Sequence, residues 1–251
     1  MLNEPTFEKL RALGLSAMVD ALLAQQQDAS IGELSFDERL GLLVDAEFHQ
    51  RESKRLARLL REAKLKLPSA CLEAIDATPK RGLAKAVVRQ LATCQWINGA
   101  QNLAITGATG TGKTYVACAL GNLACRRGHR TLYRRTSRLF HELALARADG
   151  SYVRLLAKLA RVRVLIIDDW GLTAPSDVER HDLLEILEDR CGVSSTILTS
   201  QVPDQKWHDH LGDPTIADAI CDRVLHNAHR IALLGPSRRK PDGDRHASES
   251  D

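Results

Sequence analysis

Aromatic side chains are scarce, with phenylalanine, tyrosine and tryptophan together making up 4% of the 251 residues. A core therefore has to be built from Leu, Ile, Val and Ala, and stacking platforms for unpaired bases are not expected. No run approaches the ~20 consecutive apolar residues of a membrane span. The opening MLNEPTFEKL is acidic and has no apolar stretch of the secretory kind, so a cytoplasmic protein with no membrane partner is expected. The six cysteines (Cys71, Cys94, Cys118, Cys125, Cys191 and Cys221) form no CxxC pair. Beside the histidine pairs His208/His210 and His226/His229 no third ligand stands at metal spacing. That pattern speaks against a disulfide framework or a metal centre and suits buried, reduced thiols. Internal repeats and low-complexity tracts are also missing, and the length suits one α/β domain with a smaller appendage.

What is present is charge, unevenly placed. Residues 1–50 carry three bases against nine acids, a net of −6, whereas 51–89 carry eleven bases against four acids, a net of +7. Such an asymmetry points to a nucleic-acid or protein partner. Helical spacing of Leu10, Leu13, Ala17, Val19, Leu22 and Leu23 predicts a first helix, and Ser35-Phe36-Asp37-Glu38 opens a second. In 51–67 Leu56, Leu59, Leu60, Ala63 and Leu67 fall on one stripe, with Pro68 as the stop. Lys54, Arg55, Arg58 and Arg61 lie opposite, either as a solvated face or as contacts to a DNA backbone. A second basic cluster runs from Arg126 to Arg138 with Tyr133 its single aromatic, and this scarcity of stacking residues in both clusters favours duplex backbone contact.

The chain is organised around NLAITGATGTGKT, 102–114. A short apolar run breaks into two glycines four residues apart, followed by Lys and Thr, and then by a helical stretch. Glycine lets successive N–H groups turn inward onto an anion, the helix start adds partial positive charge, and Lys113 adds a full one. Gly107, Ala108, Thr109, Gly110, Thr111, Gly112, Lys113, Thr114 and Tyr115 are thus the expected ATP contacts, with the Thr114 hydroxyl turned to Mg²⁺. A second apolar run, 162–167, delivers Asp168 and Asp169 to a strand's carboxyl end. Asp168 is expected to hold Mg²⁺ with Thr114, and Asp169 to act as general base. SSTILTSQ, 194–201, is a third buried strand whose end offers Ser200 or Gln201 to the γ-phosphate or to ordinary capping. Arg223 stands beside Asp222, where an ion pair is the simple reading. The polar PDGDRHASESD, 241–251, reads as a disordered tail.

These segments, with LKLPSACLEAID, DLLEILEDR and above all LATCQWINGAQNL and TSQVPDQKWH, resemble the IstB-type transposition helper ATPases, AAA+ partners of insertion-sequence transposases. They are more distantly similar to the DnaC/DnaI helicase loaders. The resemblance spans nearly the whole chain. It implies an α/β AAA+ P-loop NTPase with parallel sheet order 5-1-4-3-2 (residues 69–240) behind a small all-helical DNA- or partner-binding domain (1–68). It also implies a Mg²⁺-dependent ATPase completed between subunits of a homo-oligomer, which assembles on duplex DNA and recruits a cognate transposase. By position Lys113 and Thr114 are Walker A, Asp168 and Asp169 Walker B, and Ser200–Gln201 sensor 1. Arg223 falls at the arginine finger, and Arg239, beside Arg238, at sensor 2. Asp169 departs from the commoner Glu, and Ser200–Gln201 from the frequent Asn. A helicase loader and, in another class, a small-molecule P-loop kinase are the alternatives.

Overall fold

A computed structural model describes residues 4–238, and the chain divides into two compact units that meet in sequence at Arg58 and Leu59. The first unit holds helices α1 (Glu4–Ala12) and α2 (Ser16–Gln27) and most of α3 (Phe36–Ala63). Phe7, Val19, Leu22 and Leu43 form its small core. The first amides of α2 have no side-chain cap from the preceding residue, and the buried Glu47 carboxylate supplies one, accepting from Ala17 N (3.0 Å) and Met18 N (3.3 Å). Arg51 donates to the same carboxylate at 2.8 Å. At the head of α3, Ser35 N donates to Glu38 Oε2 (2.8 Å) and Glu38 N to Ser35 Oγ (3.3 Å), the reciprocal pattern of a capping box.

The expected second helix and the basic helix are one. Nothing between Phe36 and Ala63 breaks the backbone ladder, and the turn comes at Lys64, whose φ of 51° is left-handed, rather than at Pro68. Nor does the division between units fall at 68. Leu59, Ala63 and Leu65 are buried, and Leu65 packs close to Gly121, so the stretch after Arg58 belongs with the larger unit.

In that unit α4 (Lys85–Ala92) and α5 (Gln95–Asn98) are separate helices, because Cys94 turns the chain with φ 59°. There follow β1 (Asn102–Gly107), α6 (Lys113–Arg126), β2 (Thr131–Arg135), α7 (Thr136–Ala148), α8 (Tyr152–Ala160) and β3 (Val164–Trp170). The remainder is α9 (Asp177–Arg190), β4 (Ser195–Ser200), α10 (Trp207–Leu211), α11 (Pro214–Leu225) and β5 (Ala228–Leu233). All strand pairs are parallel, in the order β2-β3-β4-β1-β5, which is the expected order read from its other edge. Val164, Leu165, Ile166 and Ile167 are fully buried, as a strand covered on both faces requires. Leu139, Leu143, Leu183 and Ile186 cover one of its faces. Asn102 stitches this core at its polar seam: its amide donates to Arg223 O (2.8 Å) and Val224 O (3.2 Å) and accepts from Thr196 N (2.8 Å). No helix among the described residues is long and apolar enough to cross a membrane.

Arg190 is a charged group buried in the core. It is 1% exposed, and burial pushes its guanidinium down to about 9. Its N–H groups are spent on the Thr196 hydroxyl (3.0 Å) and on the carbonyls of Leu159 (2.6 Å), Val162 (2.8 Å) and Ser195 (2.5 Å). One planar side chain thereby closes the ends of α8 and α9 onto the start of β4. Arg190→Met fills the space yet takes a donor from three buried carbonyls, each loss costing about 1–3 kcal/mol. Urea unfolding should show a loss of roughly 3 kcal/mol or more, and a change below about 1 kcal/mol would mean water replaces the donor.

Candidate nucleotide site

The chain leaves β1 through Gly107 and winds back into α6, with φ of 146°, 86° and 99° at Gly107, Gly110 and Gly112. Two of these glycines are also needed for space. A Cβ on Gly107 would lie 2.4 Å from Leu233 O, and one on Gly110 2.1 Å from Ser237 Oγ. Lys113 opens α6 and curls into the loop, donating from Nζ to Gly107 O (2.7 Å) and Ala108 O (2.9 Å). The ammonium therefore stands at the centre of the turn, where an anion would trade those carbonyls for phosphate oxygens.

Asp168, at the end of β3, has no solvent exposure and accepts three hydroxyls: Thr114 (2.9 Å), Thr199 (2.5 Å) and Tyr133 (2.6 Å). Burial, together with the carboxylate it serves, holds the Tyr133 phenol far above its ordinary value. Lys66 Nζ stands 3.9 Å from the same carboxylate. Thr114 and Asp168 are thus a hydroxyl and a carboxylate in direct contact, the hard oxygen donors that Mg²⁺ takes. Asp169 is the next residue, but the strand slips register there and its φ is 61°. Its carboxylate turns out of the sheet and accepts from Arg135 Nε (3.1 Å) and Nη2 (3.0 Å), while its N–H donates to Thr199 Oγ1 (3.1 Å).

Thr114 and Asp169 border a cavity of about 700 Å³, whereas Asp168, fully buried behind Thr114, is not among its lining residues. Lys113, Thr114, Asp169 and Gln201 line it together with the apolar Leu67, Ala74 and Ile75. Of the residues expected here, Gln201 is present and accepts from the Thr109 hydroxyl at 2.7 Å. Ser200 is not among the lining residues: it is fully buried, donates to Trp170 O (2.8 Å) and accepts from Val202 N (3.0 Å). Tyr115 lines the cavity, and its hydroxyl reaches Cys71 N at 3.4 Å. Arg223 lies outside it on α11, ion-paired with Glu188 of α9. Arg239 and the 241–251 tail lie outside the described residues. The exposed stripe shows Lys54 on Gln50 (2.9 Å) and Arg55 on Glu52 (3.4 Å), with Arg58 and Arg61 exposed on the same helix.

Several contributors carry no motif. Arg81 donates to Thr111 O at 2.7 Å and lines the cavity. Arg238 N donates to Gly110 O (3.0 Å), and its guanidinium pairs with Asp76, whose carboxylate also lies 3.9 Å from Arg81. Two arginines over one carboxylate leave a positive charge beside the phosphate loop. Burial and the nearby Arg238 accordingly lower the Arg81 guanidinium from its ordinary value.

Solved structures share this fold. A DnaI structure aligns at TM-score 0.57 with 24% identity, covering 71% of this chain and 94% of that one. The DnaC helicase loader aligns at TM-score 0.55 with 18% identity, covering 66% and 97%. These likenesses establish the fold. In sequence, an insertion sequence ATP-binding protein of Sinorhizobium fredii is 49% identical over 96% of this chain and 98% of its own. A counterpart from Pseudomonas fluorescens is 51% identical over 81% and 88%, and one from Mycobacterium tuberculosis 35% identical over 92% of each. The family model described as IstB-like ATP binding protein matches residues 8–246, a span that takes in the phosphate loop, the Asp168–Asp169 strand end and α11 alike, so the chain belongs to the IstB-like ATP binding protein family.

Proposed function

We propose that this ATPase assembles on duplex DNA in its ATP-bound form and there engages the transposase of an insertion sequence. The observation that carries the reading is the division of the ATPase apparatus. Lys113, Thr114 and Asp169 line one cavity, with Asp168 buried behind Thr114, while Arg223 stands apart on α11, its charged partners among the described residues being Glu188 and Asp222. An arginine so placed is available to a neighbouring subunit's nucleotide. Relatives named as insertion sequence ATP-binding proteins, up to 51% identical, favour transposition over helicase loading.

In this reading the backbone amides of Gly107–Lys113 and the Lys113 ammonium bind the β- and γ-phosphates. Thr114 and Asp168 would hold Mg²⁺, which supplies neutralisation of charge on the phosphate oxygens. Asp169 accepts the proton of the attacking water, and its carboxylate is presented by the left-handed turn at the end of β3. Gln201, tied to Thr109 on the phosphate loop, orients that water. Arg135 holds Asp169 until then. Arg223 leaves Glu188 and stabilises the transition-state charge on the adjacent subunit's ATP. Specific activity that rises with protein concentration and with added duplex supports the reading, whereas a rate per subunit indifferent to both argues against it.

Lys113→Ala should abolish binding of a fluorescent ATP analogue, since the loop loses the cation it is wound around. Asp169→Asn keeps the shape and tolerates the left-handed backbone, so binding should persist while phosphate release slows by about 10²-fold or more. Equal loss of affinity in both variants would refute this division of labour.

Arg223→Ala should bind ATP normally and hydrolyse it on the order of 10³-fold more slowly. Mixing that variant with Lys113→Ala should restore part of the turnover at their shared boundary, and a mixture as inactive as either parent would rule out action between subunits.

A further inference from the structure

Strand β2 is an edge of the sheet, and a cationic trough runs beside it. Two cavities of about 620 Å³ and 310 Å³ share Lys64 and Arg134 and so adjoin along it. Arg130, Lys158, Lys64, Arg134, Arg138 and Arg135 line it in turn, six cations against the three carboxylates of Glu62, Glu142 and the Arg135-bound Asp169. Arg134 is buried and fixed by Glu142 (2.9 Å) and by Tyr133 O (2.8 Å), so it forms part of the floor. Arg130, Arg138 and Lys158 are exposed on the rim. The single tyrosine of the lining is buried, with its hydroxyl committed to Asp168, and among the described residues no phenylalanine or tryptophan joins it.

We infer that this trough seats the phosphodiester backbone of one strand of duplex DNA, an inference that rests on the DNA-assembled reading above. Cations without stacking partners recognise phosphate rather than bases. Length agrees as well. Five residues of β2 span roughly 17 Å at ~3.3 Å each, room for a short run of two or so successive phosphates of one strand. A protein partner would instead be expected to fill pockets with apolar or aromatic anchors, and the exposed rim offers charge.

The test uses the full chain with a non-hydrolysable ATP analogue and two duplexes of unrelated sequence. Arg130→Glu combined with Lys158→Glu, and separately Arg138→Glu, reverse charge on the rim without touching the nucleotide cavity. Every phosphate that the variant ceases to neutralise should flatten the slope of log affinity against log salt by about 0.9, with affinity falling roughly tenfold or more on both duplexes. Binding of the fluorescent ATP analogue should be unchanged, which also reports an intact fold. If wild type binds duplex and these variants keep its affinity and slope, the trough is not the site although the broader reading stands. The same holds if only Arg58→Glu with Arg61→Glu weakens binding. Changed self-association with unchanged DNA affinity would assign the trough to a protein contact, and failure of wild type to bind duplex would remove both the trough and the DNA-assembled reading.

Discussion

A carboxylate closed off from water has to be surrounded by donors, and Asp168 draws its donors from three different strands and helices. Thr114 comes from the first turn of α6, Tyr133 from β2 and Thr199 from β4, all within hydrogen-bonding distance of one side chain. The backbone carbonyl of the same residue takes the Thr136 hydroxyl at the start of α7. An unsatisfied buried charge would be far more costly than any single contact around it, so these elements are held in fixed relation by electrostatics as much as by apolar packing. The phosphate loop inherits that rigidity through Thr114. Asp169, one residue on, is released from the sheet by the register slip, so a structural acid and a cavity-facing acid sit side by side on one strand end.

Legibility in the sequence follows how local each requirement is. The phosphate loop is readable because positive φ at Gly107, Gly110 and Gly112 can be met by glycine alone at low cost, and the spacing records that. The Asp168–Asp169 strand end is readable because four fully buried apolar residues precede it. The sheet order comes from resemblance, since periodicity does not say which strands pair. Arg81 and Asp76 are not legible. Their contacts to Thr111 and Arg238 join residues up to 162 positions apart, and such closures leave no spacing signal. Arg135 is visible only as one member of a basic cluster, because its partner Asp169 is set by strand pairing between β2 and β3.

The end of β4 shows the opposite case, where sequence leaves two residues open and geometry separates them. Ser200 is small enough to turn inward, and its hydroxyl completes the backbone of the Trp170 and Val202 turns. Gln201 is one residue later, on the opposite side of the pleat, and meets the phosphate loop. Continuity of α3 is hidden for a different reason. A change from acidic to basic composition near residue 50 looks like a boundary, but a helix has no stake in the sign of its exposed charges.

Gly82 carries a quieter implication. The segment 79–82 lies against the end of β5, with Leu234 N donating to Arg81 O at 3.0 Å, and a Cβ at Gly82 would stand 1.8 Å from Ala232 O. Its φ of 71° would already disfavour a side chain, and the carbonyl makes one impossible without moving the strand. Arg81 owes its reach over Thr111 to that close approach. Across homologous chains this position should therefore vary as little as the glycines of the phosphate loop, although it belongs to no nucleotide motif. A scan for invariant glycines would mark the strap as part of the machine before any chemistry had been assigned to it.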